Sequence, residues 1–96
     1  MNFLITGATS GLGRALFQTL SEKKGNNFYL ISRNKKELEN IEKNNKNVKT
    51  YCLNLEDINK TKVIAKNIVQ ESQNKIDVLI CNAAEGSFGD MQDVPL

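Results

Sequence analysis

Eight residues near the amino terminus, Thr6-Gly7-Ala8-Thr9-Ser10-Gly11-Leu12-Gly13, set three glycines among small hydroxyl side chains, between the apolar run Phe3-Leu4-Ile5 and a helical pattern. Glycine reaches backbone angles closed to other residues and lets a ligand come close to the main chain. The helix that follows offers unpaired N–H groups and the positive end of its dipole. Strand, glycine loop and helix together form a phosphate-binding turn, and the diphosphate of a dinucleotide fits it. A P-loop is a poor match, because it needs a lysine and a Ser/Thr after the last glycine, whereas Arg14 and Ala15 follow Gly13.

A second group of candidates is Ser32-Arg33. Dinucleotide sites commonly place a carboxylate about 20 residues past the glycine loop, at the end of the second strand, to hold the adenosine ribose hydroxyls. Here that place holds no carboxylate to repel a phosphate. The Arg33 guanidinium can instead grip one through two N–H donors, and Lys35 and Lys36 add positive charge. The expected cofactor is therefore NADP (NADPH) rather than NAD. The chain has no histidine, which excludes Ser-His and Cys-His nucleophilic catalysis and most zinc sites.

These residues need elements to hold them in place. Leu12, Ala15, Leu16, Thr19 and Leu20 recur at helical spacing, and Lys23, Lys24 and Gly25 suit the end of that helix. Phe28-Tyr29-Leu30-Ile31 reads as a second strand, nearly continuous in apolar character as buried parallel strands are. Asn34 with Glu37 is spaced as a capping box, opening a second helix with Leu38 and Ile41 on its inner face. A turn at Asn44-Asn45-Lys46-Asn47 leads to a third strand, Val48 to Leu53. Asp57 caps a third helix whose stripe is Thr61, Ile64, Ala65, Ile68 and Val69, and Ile76 to Cys81 forms a fourth strand. Strands alternating with helices imply a mostly parallel sheet with right-handed crossovers and helices on both faces.

Composition sets limits on the partners. Ninety-six residues make at most one domain, and 40% hydrophobic with 25% charged residues is ordinary globular composition. The formal net charge of +2 argues for neither nucleic acid nor membrane as a partner. No apolar run approaches the ~18 residues of a membrane span, and Gly7 interrupts the amino terminus before a signal-peptide core could form. The expected location is cytoplasmic.

The T-G-x-x-x-G-x-G spacing of Thr6 to Gly13, together with Asp77-Val78-Leu79-Ile80-Cys81-Asn82-Ala83-Ala84, resembles the short-chain dehydrogenase/reductase family, whose corresponding segment reads D-V-L-V-N-N-A-G. The resemblance covers nearly all 96 residues and implies a Rossmann-like α/β fold with strand order 3-2-1-4, truncated after the fourth strand, so that residues 1–96 are a partial NAD(P)-binding domain. In that order Cys52 and Cys81 lie three strand spacings apart, roughly 14 Å, beyond the ~4.4–6.8 Å between Cα atoms that a disulfide needs, and both are expected as free thiols. The resemblance also implies cofactor contacts from Gly7, Thr9, Ser10, Gly11, Leu12, Gly13, Ser32 and Arg33. Many NADP-using relatives carry a further basic residue where this chain has Ser10.

Asn54-Leu55 stands where the family usually shows an aspartate, which meets the adenine amine, and an apolar residue. Asn54 either accepts from that amine or forms the turn after the strand. The resemblance implies that Asn82 ties neighbouring strands together, with the backbone at Asn82-Ala83 lining the cofactor ribose; Cys81 replaces an asparagine of the family segment and Ala84 a glycine. The family assigns proton transfer to a Tyr-x-x-x-Lys pair, a serine on the fifth strand and an asparagine on the helix after the fourth. Neither tyrosine here fits: Tyr29 is followed four residues later by Arg33, and Tyr51 by Leu55. The resemblance thus implies an NADP-dependent oxidoreductase, acting on an unidentified carbonyl or alcohol, present as a fragment without its catalytic half. The alternative is a small dinucleotide-binding module without turnover. A sheet ending on its fourth strand would leave an uncovered edge, through which the chain could self-associate.

Overall fold

A computed structural model describes residues 1–9 and 11–81. The elements alternate as β1 (Asn2–Thr6), α1 (Gly11–Leu20), β2 (Asn27–Ser32), α2 (Lys35–Asn44), β3 (Val48–Cys52), α3 (Ile58–Glu71) and β4 (Val78–Cys81). All strand pairings are parallel, in the order β3-β2-β1-β4. This is the expected topology, a Rossmann-like sheet. The fourth strand begins at Val78 rather than Ile76; Ile76 packs instead beside the second core cluster.

Alternation along the strands separates two cores. Phe3, Ile5, Phe28, Leu30 and Val48 meet Phe17 of α1 and Leu38 of α2 on one face. Tyr29 and Ile31, with Leu4 and Tyr51 beside them, meet Ile64 and Ile68 of α3 on the other. The helices switch faces because β1, β2 and β3 step outward in one direction, whereas the connection from β3 to β4 crosses back over the sheet, and right-handed crossovers then fix the side. Cys52 and Cys81 end strands on opposite edges and are free thiols.

Two helices turn differently from their predicted stripes. In α1 the buried side is Gly13 and Phe17, with Leu16 and Leu20 half-buried, while Leu12, Ala15 and Thr19 are exposed. Phe17, absent from the predicted stripe, is the large side chain that fills the space over Phe28, edge-on with ring centroids 5.0 Å apart. The stripe therefore shifts by one position. In α3 only Ile64 and Ile68 of the expected apolar set pack inward; Ala65 and Val69 are exposed.

Helix ends follow local chemistry. Asn34 caps α2 by accepting from Glu37 N–H at 3.1 Å, and Asp57 caps α3 by accepting from Lys60 N–H at 3.1 Å. The expected capping box at α2 is one-sided, since the Asn34 N–H donates to Ser32 Oγ. Helix α1 stops at Leu20, short of Lys23 and Lys24, with the Asn26 amide donating to Leu20 O at 3.0 Å; Gly25, at φ 90°, turns the chain into β2. At the far end of α3, Glu71 accepts from Lys49 at 3.0 Å and from the Tyr51 hydroxyl at 2.8 Å, which ties the helix to β3. These two donors hold the Glu71 carboxyl below the usual carboxylate range, and burial together with the Glu71 bond pushes the Tyr51 phenol up. No described helix is long and apolar enough to cross a membrane.

Candidate functional site

Parallel strands bring their carboxyl ends to one edge. Registers of Thr6 with Ile31 and Cys81, and of Ser32 with Cys52, align the four strand ends there. Open α/β sheets bind ligands outside this edge, where the strand order reverses. That reversal lies between β1 and β4, beside the glycine loop.

The loop bends as its glycines require. Gly7 (φ 63°) and Gly11 (φ 41°) occupy the left-handed region, which costs a residue with a Cβ about 1 kcal/mol or more. Among the described residues, a Cβ on Gly11 would meet no atom within 4 Å, which leaves room beside the start of α1. Gly13 serves differently, lying buried within α1. The first N–H groups of a helix have no intrahelical partners, and the first turn of α1 contains no acidic residue to compete for them. Ala8 N–H, however, donates to Ile31 O at 3.2 Å and is committed to fastening the loop to β2. The bend is thus pinned to the sheet while the start of α1 faces the carboxyl edge, an arrangement that fits a diphosphate.

The second loop meets the first there. Thr9 Oγ1 and Ser32 Oγ are 2.5 Å apart, and Arg33, Lys35 and Lys36 are exposed just beyond Ser32. Arg14 lies 3.8 Å from Glu37, linking the first turns of α1 and α2. Asn54 is exposed at the end of β3; its side-chain oxygen accepts from Glu56 N–H at 3.0 Å and its backbone oxygen from Asp57 N–H at 2.9 Å. Of the two roles read for Asn54, the structure displays the turn. Leu55 and Leu12 are exposed at the same edge. Gly7, Thr9, Gly11, Leu12, Gly13, Ser32, Arg33, Asn54 and Leu55 all lie on or next to the carboxyl ends of β1, β2 and β3. Ser10, Asn82, Ala83 and Ala84 lie outside the described residues. Sequence reasoning missed the direct hydroxyl contact between Thr9 and Ser32, which lie 23 residues apart.

The short-chain dehydrogenase family model matches residues 2–96. The chain belongs to the short-chain dehydrogenase family. Solved members of similar architecture include a short-chain dehydrogenase/reductase from Saccharomyces cerevisiae, at 22% identity and TM-score 0.72 over 85% of this chain and 33% of that one. A short-chain dehydrogenase from Streptomyces avermitilis aligns at 24% identity and TM-score 0.71, over 81% of this chain and 28% of that one. A UDP-glucose 4-epimerase from Thermotoga maritima, solved with UDP-glucose, aligns at 22% identity and TM-score 0.64, over 95% and 26%. At these identities the likeness is one of fold. The sequence matches no curated protein. This short-chain dehydrogenase chain spans about a third or less of the length of the solved structures it resembles.

Proposed function

We propose that the chain is the cofactor-binding part of an NADP-dependent oxidoreductase that interconverts a carbonyl and an alcohol in the cytoplasm. The observation that carries this reading is the glycine loop, bent at Gly7 and Gly11 beside the carboxyl edge and lying against the Ser32-Arg33 loop. Family membership supports a nicotinamide dinucleotide as ligand. The open space at Gly11 and the start of α1 would take the diphosphate. Arg33, which follows a buried serine where a carboxylate would favour NAD, would hold the 2′-phosphate. When bound, the nicotinamide supplies or accepts the hydride. The side chains described here bind and orient, and none of them is assigned proton transfer.

Titration of the purified protein with NADPH and NADH, followed by nucleotide fluorescence, tests the assignment. Arg33→Asp should weaken NADPH by about 10- to 100-fold, the loss expected for charge-assisted hydrogen bonds, and leave NADH binding level or improved. An unchanged ratio of the two affinities would remove Arg33 as the selector. Binding of neither nucleotide by the wild type would refute the cofactor reading itself.

A further inference from the structure

Ser32 is connected to three loops. Its side-chain oxygen lies 2.5 Å from Thr9 Oγ1 in the β1–α1 loop and accepts from Asn34 N–H, at 3.1 Å, in the β2–α2 loop. Its backbone oxygen accepts from Leu53 N–H, at 2.9 Å, at the start of the β3–α3 loop. Ser32 is 7% exposed, whereas Thr9 is half-buried.

Counting protons assigns the roles. Two hydroxyls carry two protons, and one of these lies between Thr9 and Ser32. Either hydroxyl could donate across this contact; Ser32 Oγ is the buried member, and donating to Thr9 Oγ1 gives its proton a partner in addition to the bond it accepts from Asn34. The proton left over is then that of Thr9, on the more accessible hydroxyl. We propose that Ser32 is a positioning residue that holds Thr9 in place to donate to a bound dinucleotide, and that it makes no discriminating contact with the 2′-phosphate. Arg33 alone of this pair then reads the phosphate, while Ser32 serves NADH and NADPH equally. The inference rests on the dinucleotide reading above.

Two affinities measured on a small set of variants test it. Ser32→Ala should weaken NADPH and NADH by the same factor, on the order of tenfold, with their ratio unchanged. Ser32→Thr, which keeps the hydroxyl, should recover most of that loss. In a Thr9→Val background, Ser32→Ala should cost less than about threefold further, because the two hydroxyls act as one unit. A change in the NADPH/NADH ratio of more than about threefold in Ser32→Ala would make Ser32 a direct phosphate ligand and overturn the proposal. Losses that simply multiply in the double variant, or no loss at all, would overturn it too. Should Ser32→Ala fail to fold, Thr9→Val at the more exposed partner carries the test: it must lower both affinities equally, and unchanged or unequal affinities refute the proposal. Failure of the cofactor reading is separately visible, as a wild type that binds neither nucleotide.

Discussion

At the residue scale, three phenylalanines fasten α1 to the sheet. Phe28, 1% exposed, stacks on Phe3 with ring centroids 5.3 Å apart and meets Phe17 edge-on. Such pairs add to the burial of apolar area that drives folding. Phe17→Ala removes the only large buried side chain of α1, and should cost about 3–5 kcal/mol, readable as a lower urea midpoint. Because whole domains are stable by only about 5–15 kcal/mol, this one change should bring the protein close to unfolding. Leu12→Ala, on the exposed side of the same helix, should leave the midpoint nearly unchanged; a large loss there would contradict the shifted stripe. The candidate site was legible at this scale as residue types and spacing. Its internal bond was not, because nothing local to Thr9 or to Ser32 specifies that two distant hydroxyls meet.

At the element scale, α2 and α3 are held by their ends as well as by their inner faces. Asn34→Ala removes the α2 cap and should destabilise the protein by about 0.5–2 kcal/mol, seen as a lower melting temperature. Helix α3 is fastened at its start by Asp57 and at its end by Glu71. The folded-state value of Glu71 lies below its ordinary 4.5, so its contribution is present above that pH and is lost as pH falls through the depressed folded value. Wild type should therefore lose more stability between pH 7 and pH 3 than Glu71→Gln does, by a small margin, because the Lys49–Glu71 pair is solvent-exposed. Equal losses in melting temperature would show that the pair contributes nothing. The caps were legible because they depend on residues three apart. The side of α1 that faces inward was not, because Leu12, Leu16 and Phe17 offer more than one apolar stripe and only the sheet beneath chooses between them.

At the scale of the whole molecule, β4 pairs with β1 on one side and with no other described strand. Leu79 on that strand is 54% exposed, and Val69 on α3 is also exposed. A strand edge that has no partner is a template for association. The expectation that the chain self-associates through the β4 edge is tested by analytical ultracentrifugation of the 96-residue polypeptide, in which Leu79→Lys should reduce association. A monodisperse wild-type monomer with a cooperative melt would count against this expectation.

Local pattern determined a good deal about this protein. Alternating apolar runs, glycine positions and polar caps predicted four strands, three helices and a phosphate-binding turn, because each depends on residues a few positions apart. The resemblance in Thr6 to Gly13 and Asp77 to Ala84 carried the family and the strand order. Tertiary structure alone decided which face of α1 and of α3 is inside, and that Ser32 joins three loops. These choices belong to contacts between segments far apart in the chain, and they exist only once the parallel sheet has brought its strand ends to one edge.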